Sequence, residues 1–281
     1  VLEHVSLRKI EGDFDSPFFE SLKNDYDPKV FMAWIRKCAK EDRMCYALRV
    51  DGNLSAILIY NQESPNENNL GLNENAIKIC TFKVGDDALG LKLGELFINK
   101  MFEYCINQKI NYLYVTTYDK QKALIHILTK FGFDQHSVFD NNVGQKEFVF
   151  LKQLDRKVQV SKSGTTLHPF IREHGNKFVV PIQPQFYQSL FKDGNLRTPT
   201  LFDAQDYGLQ EVQGNTIIKA YVSKSSRQDL VPGDLLFFYS SRKYKSLEPV
   251  GELIEHRRVN NFDDLWDNVR SKTVYSQNHL R

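Results

Sequence analysis

The chain has 281 residues, enough for about two domains, and its 41% hydrophobic, 12% aromatic and 26% charged content excludes wholesale disorder. No uninterrupted apolar run is long enough to span a bilayer and no signal-peptide pattern opens the sequence, so no membrane partner is expected. The net charge of +2 conceals an asymmetry: residues 1–154 carry 19 Lys and Arg against 21 Asp and Glu, and residues 155–281 carry 18 against 14. A polyanion partner is therefore expected of the second half rather than the first.

In chain order, Val5–Ile10 alternates as a strand does, and Ser16-Pro17 reads as a helix start. Asp27-Pro28 repeats that signal before a longer helix, on which Val30, Phe31, Trp34, Ile35 and Cys38 have helical spacing. Cys45–Val50 and Leu54–Tyr60 are two strands joined at Asp51-Gly52, a hairpin signal. Asn61–Asn75 is a polar surface loop, and Ala76–Val84 a further strand that Gly85–Leu89 breaks. Leu93, Leu96, Phe97, Met101, Tyr104 and Cys105 then mark an amphipathic helix. Tyr112–Thr117 is a strand; Leu124, Ile127, Leu128 and Phe131 lie on the next helix, which Gly132 is placed to end. Strands around Gln135–Phe139 and Glu147–Leu154 finish this domain, and the polar stretch Asp155–Thr166 reads as a linker.

The four cysteines (Cys38, Cys45, Cys80, Cys105) form no CxxC pair and sit among apolar residues, which points to buried reduced thiols and a cytoplasmic location. The histidines His4, His136, His168, His174, His256 and His279 show no metal spacing, so no metal is expected. The first residue, Val1, suggests a processed chain or a piece of a longer one.

The strand–loop–helix over residues 76–105 carries the strongest chemical signal. A glycine-containing loop that opens a helix aims several backbone N–H groups at one spot beside the helix's positive end, which suits a pyrophosphate. Gly85, Gly90 and Gly94 are spaced more loosely than in dinucleotide or P-loop motifs, and no Gly-Lys-Ser/Thr follows, which argues against a nucleoside triphosphatase. The order strand, glycine loop, helix, strand, helix, together with Leu89-Gly90-Leu91-Lys92-Leu93-Gly94 and Lys130-Phe131-Gly132-Phe133, resembles the core of the GNAT acyltransferases. The resemblance covers about residues 1–154. It implies acetyl-CoA as co-substrate, held at Phe82, Val84, Leu89, Gly90, Leu91, Lys92, Leu93 and Gly94. Phe82–Val84 would present backbone N–H to the thioester carbonyl, and splay from the Tyr112–Thr117 strand would admit pantetheine.

Three positions depart from the family pattern. Leu89 replaces the usual Arg or Gln, and Lys92 the middle glycine, where it serves a phosphate or simply a solvated helix face. Leu128 stands where the family often has its general-acid tyrosine, and it lies on an apolar stripe. Asp86 and Asp87 would repel a pyrophosphate, and one of them is expected instead to cap the helix. Tyr118 is the candidate proton donor, with the alternative that it only caps a strand end. Asp119 is read as a helix N-cap, His126 as solvated and Glu95 as a first-turn helix stabiliser.

Residues 167–281 read as mostly strand with a few helices. Phe178–Ile182, Thr216–Val222, Leu235–Tyr239 and Val250–Glu255 are expected strands; Pro184–Phe191 and Phe262–Val269 are expected helices, the latter capped by Asn261 or Asn260. Pro232-Gly233-Asp234 before an apolar strand, then Val250-Gly251-Glu252-Leu253-Ile254, resembles the PUA-like β-barrels of the ASCH and EVE group, which is associated with RNA or modified-nucleotide recognition. Of the ASCH signature only Gly175 and Lys177 are present, Val180 and Ile182 replacing its Glu and Arg, so hydrolase activity is not carried over. The basic cluster Arg242-Lys243-Tyr244-Lys245 would grip phosphates while Tyr244 stacks on a base, or is a solvated hairpin tip. His168, Arg172 and Tyr187 are candidates for the barrel mouth.

The fold class expected is thus α+β: a GNAT-like mixed sheet flanked by helices over residues 1–154, then a PUA-like β-barrel domain over 167–281. The function expected is an N-acetyltransferase acting on an amine acceptor, with a C-terminal RNA- or nucleotide-binding domain. The alternative is a catalytically inactive GNAT-like fold serving as an RNA-binding or regulatory module. Similar domain pairs also resemble the rear part of longer chains that begin with a PIN-type nuclease, which would make that module toxin-associated.

Overall fold

A computed structural model describes residues 2–140, 146–155, 157, 162–191, 212–225, 227–240, 247 and 249–281. The chain divides into two compact units, Val1–Gln159 and Val160–Arg281.

The first unit is built on a seven-stranded sheet. Its strands are β1 (Leu2–Ser6), β2 (Met44–Val50), β3 (Asn53–Glu63), β4 (Ala76–Val84), β5 (Tyr112–Tyr118), β6 (Asp134–Asp140) and β7 (Lys146–Gln153), in the spatial order β1-β2-β3-β4-β5-β7-β6. Every pairing is antiparallel except β4 with β5. That parallel pair needs a crossover, which α3 (Leu93–Gln108) supplies. The β2–β3 hairpin turns at Asp51 and Gly52, whose φ angles of +49° and +83° are those of a tight two-residue turn.

One sheet face is covered by α1 (Glu20–Asp25) and α2 (Pro28–Lys40). Phe31, Ile35, Cys38 and Ala39 of α2 are buried against Leu7, Ile10, Phe14 and Phe19. Val30, expected on the same stripe, is 65% exposed, because the buried face begins one residue later. Asp27 starts α2 by accepting hydrogen bonds from the N–H groups of Lys29 and Val30 through one carboxylate oxygen, at 2.9 and 3.1 Å. Asp27→Ala is therefore expected to lower the unfolding free energy of this unit by about 0.5–2 kcal/mol, read from urea denaturation.

The Val5–Ile10 segment differs from expectation. β1 ends at Ser6, whose hydroxyl accepts from Arg8 N, and a 3-10 helix runs over Leu7–Asp13. Leu7 and Ile10 are both buried at a spacing of three, which strand alternation does not provide. On the opposite sheet face, Leu93, Phe97, Met101, Phe102 and Cys105 of α3 are buried, and α4 (Lys122–Lys130) packs beside it. Gly132, at φ +80°, ends α4 as a left-handed residue just past the helix.

In the second unit, β8 (Lys177–Ile182), β9 (Leu235–Ser240) and β10 (Val250–Glu252) form an open sheet, β8 parallel and β10 antiparallel to β9. Ile182, Tyr187, Leu190 and Phe238 make its core, Tyr187 and Leu190 coming from α5 (Pro184–Leu190). Asp234, 1% exposed, accepts from the N–H groups of Asn176 and Val231, which pins the turn before β9. The helix at Phe262–Val269 is capped by Asn261. Thr216–Val222 forms no strand: the chain bends at Ile217 and Ile218, and Ala220 N donates to Lys272 O outside any ladder among the described residues. No closed barrel is seen among the described residues. No helix among them is long and apolar enough to cross a membrane.

Candidate active site

The parallel ladder between β4 and β5 is short. It runs from Ala76–Tyr112 to Ile79–Val115 and stops, although both strands continue, to Val84 and Tyr118. A bulge against β3 falls at the same height, where Tyr60 opposes Ile79 and Ile59 opposes Thr81, leaving Cys80 as the extra residue. A bulge bends its strand, and here β4 keeps its pairing with β3 while leaving β5. The result is an opening in the middle of the sheet, flanked by Cys80–Val84 and Thr116–Tyr118.

β4 leads from this opening into the glycine loop. Gly85 N donates to Ser55 O at 2.8 Å, and Asp86–Ala88 forms a single 3-10 turn. Gly90 has φ +84° and Lys92 φ +56°, so the chain twice enters the left-handed region before α3 begins. Lys92 occupies the N-cap position and makes no side-chain cap. The expectation that Asp86 or Asp87 caps α3 fails: Asp87 is turned back to β3, where its carboxylate accepts from the Ser55 hydroxyl. In consequence the N–H groups of Gly90, Lys92, Leu93 and Gly94 have no hydrogen-bond partner among the described residues. Four free donors thus surround the positive end of a 16-residue helix.

The other residues expected at this site are distributed around it. Phe82 lies edge-on to Phe97, with centroids 5.7 Å apart; Val84 pairs with Ala56; Leu89 is 65% exposed, and Leu93 is buried. At Gly94 a Cβ would come within 2.8 Å of Ile127 Cδ1, so the glycine lets α3 and α4 approach closely. Glu95 stabilises that contact by an ion pair with Lys130 at 2.9 Å. Thr117, two residues beyond the last β4–β5 pair, is 5% exposed, and its Oγ1 is buried without a hydrogen-bond partner. A buried hydroxyl in that state marks a place where a ligand group can complete the bonding.

Tyr118 is the last residue of β5 and is 8% exposed. Its hydroxyl donates to Glu147 Oε1 at 3.1 Å, a contact set by the β5–β7 register in which the two residues are partners. The Tyr26 ring lies 6.0 Å from that of Tyr118, and Lys120 Nζ is 5.6 Å from the Tyr118 centroid. Burial holds the Tyr26 phenol well above its ordinary pKa, and the proximity of Tyr118 and Glu147 adds to the shift. Lys83 stands on β4 over Phe18, its ammonium 5.2 Å from the ring, and burial lowers its pKa. Sequence reasoning singled out Tyr118 but not its neighbours Glu147 and Tyr26, which no local motif links to it.

The remaining candidates resolve simply. Leu128 is fully buried and His126 is exposed. Asp119 is no N-cap; it pairs with Lys122 on the surface. Cys38, Cys45 and Cys105 are buried free thiols, and Cys80 is partly buried. Tyr187 is 2% exposed in the core of the second unit, not at a mouth, and Arg172 pairs with Glu252 at 3.4 Å. Arg242, Lys243, Tyr244 and Lys245 lie outside the described residues. Among the described residues no group of three or more His, Cys, Asp or Glu is placed to hold a metal ion.

A mixed sheet parted between two parallel strands, with an uncapped helix opening beside the gap, is the architecture of the GNAT acyltransferases. Residues 7–133 match the model of the Acetyltransferase (GNAT) family, and this segment is a GNAT acetyltransferase domain. No curated protein matches the sequence. Among solved structures, the IAA acetyltransferase from Bacillus cereus ATCC 14579 is 13% identical, with 55% of this chain and 99% of that one covered and a TM-score of 0.42. The ribosomal-protein-alanine N-acetyltransferase from Brucella melitensis is 12% identical over 55% and 99% of the two chains, TM-score 0.41. Arabidopsis thaliana NAA60, solved in complex with a bisubstrate analogue, is 12% identical over 54% and 97%, TM-score 0.44.

Proposed function

We propose that the chain is an N-acetyltransferase that moves an acetyl group from acetyl-CoA to an amine acceptor, and that its second unit contributes an RNA- or nucleotide-binding surface. The observation that carries the catalytic part is the set of four unpartnered N–H groups at the start of α3, next to the gap between β4 and β5. A pyrophosphate gains charge-assisted hydrogen bonds from such donors. The gap beside them has the unpartnered Thr117 hydroxyl at its edge, suited to an amide of the pantetheine arm.

Acetyl-CoA supplies an acetyl group activated as a thioester. The chain's part is to bind it, to hold the acceptor amine at the mouth of the gap, and to move protons. Tyr118, with its hydroxyl held on Glu147, is the group at that mouth able to pass a proton. Glu147 accepts the proton that the amine loses, by way of the phenol; the phenol then protonates the departing sulfur, and Glu147 returns its proton to the phenolate. The balance is one amide formed, one thioester broken and one thiol released.

The second reading, an inactive fold serving a regulatory role, is favoured by Leu128, which is fully buried where the family often has a tyrosine. Calorimetric titration with acetyl-CoA and CoA separates the two. Micromolar binding is expected; no binding at millimolar cofactor would leave the regulatory reading. The RNA part is tested independently by replacing Arg242, Lys243 and Lys245 with Ala. Weaker RNA binding with a flatter salt dependence is expected.

A further inference from the structure

A separate recess opens on the α3 side of the sheet, at the β1 edge. It holds about 440 Å³, within the range of small-molecule sites. Three aromatic side chains line it: His4 from β1, Tyr46 from β2 and Tyr104 from α3. His4 lies over Tyr46, with centroids 4.4 Å apart and planes 17° from parallel. Tyr104 stands at 71° to His4, 6.3 Å away. The His4 ring is fixed in its plane because Nε2 shares a hydrogen bond with Tyr60 Oη at 2.8 Å. Burial lowers the His4 pKa from its ordinary value, which favours the neutral ring. His4 is nonetheless exposed, so it presents a fixed, uncharged aromatic surface.

Tyr46 supplies a second, independent observation. It is 8% exposed, yet its hydroxyl has no hydrogen-bond partner among the described residues. Burial pushes its phenol up to about 12, so it remains a donor across the physiological range. The rim belongs to one face of α3. Lys100 and Glu103 pair there at 2.9 Å and cancel each other's charge, while the side-chain amides of Asn107 and Gln108 make no hydrogen bond among the described residues.

We propose that this recess binds a neutral, planar heteroaromatic ring of the nucleobase kind. The ring stacks beside His4 and Tyr104, an acceptor on it receives the Tyr46 hydroxyl, and its outer edge meets the α3 amides. Stacking of this sort tolerates any base, whereas the Tyr46 hydroxyl, which makes no hydrogen bond among the described residues, favours a ring that carries an acceptor. A small organic cation is disfavoured, since it offers the Tyr46 hydroxyl no acceptor and finds no net negative charge in the Lys100–Glu103 pair at the rim.

The test is an NMR titration of the whole chain with adenosine and with guanosine, each with and without saturating CoA, and with tetramethylammonium for comparison. Nucleoside binding in the millimolar range or tighter is expected, unaffected by CoA. His4→Ala is expected to weaken it about tenfold through lost stacking. Tyr46→Phe, which keeps the ring and the fold, is expected to weaken it about fivefold through the lost hydrogen bond. The proposal is overturned by no binding at millimolar nucleoside, or by affinity indifferent to both substitutions. Competition by CoA would also overturn it, placing the nucleoside at the α3 N-terminus instead. A preference for tetramethylammonium would make the recess a cation cage.

Discussion

Gly90→Glu is expected to weaken acetyl-CoA binding by about a hundredfold or more, two lost charge-assisted hydrogen bonds being worth at least that. Gly90 lies at φ +84° in the loop that carries the free N–H groups of Lys92, Leu93 and Gly94, and its own N–H is free as well. A Cβ there meets nothing within 4 Å, so a side chain fits, but the left-handed backbone strains it by about 1–2 kcal/mol. A glutamate adds a carboxylate beside donors that otherwise receive the ligand's negative charge, and competes for them from within the chain. Gly90→Ala separates the two causes: it carries the backbone strain without the charge, and is expected to weaken binding only several-fold. Calorimetry gives both affinities, and thermal melting shows whether the unit stays folded. Equal affinities for Gly90→Glu and the parent chain would mean that this loop does not hold the pyrophosphate.

That cradle was half legible in the sequence. The strand, the glycines and the helix could be read from periodicity and turn chemistry, because each is decided by neighbours a few residues apart. The freedom of the N–H groups could not, because it depends on Asp87 reaching Ser55, a contact across 32 residues of chain that draws a good N-cap residue away from the helix. The same distinction separates Tyr118 from Glu147. Tyr118 stood out for its place after a strand, whereas its partner is fixed by a non-consecutive pairing, β5 with β7, and by a register that no local pattern states. Thr216–Val222 shows the reverse error. Its apolar and β-branched residues satisfy strand preference, yet among the described residues it joins no ladder, and preference alone does not make a strand. In the second unit the Pro232-Gly233-Asp234 turn marked the start of β9, and Asp234 holds it through Val231 and Asn176, but the closed barrel expected from it is not seen among the described residues.

Tyr118→Phe is expected to lower kcat by about a hundredfold, the lower end of what a positioned acid or base contributes, while leaving the KM for acetyl-CoA unchanged. The phenyl ring keeps its packing against Tyr26 and Lys120 and removes only the hydroxyl that Glu147 holds. Glu147→Gln retains an acceptor for the Tyr118 hydroxyl but takes no proton, so it is expected to cost kcat by a similar factor. If the two act as one relay, the double variant loses no more than either single one, since removing any member already breaks the path. The readout is CoA thiol release with the fastest acceptor from a panel of small primary amines, as a function of pH. In the parent chain the rate rises with pH as the acceptor amine loses its proton. The variants keep that rise, at a lower level, because the amine's ionisation is its own. Multiplicative losses in the double variant would mean that Tyr118 and Glu147 act separately, and undiminished kcat in both singles would place the proton route elsewhere in the gap between β4 and β5.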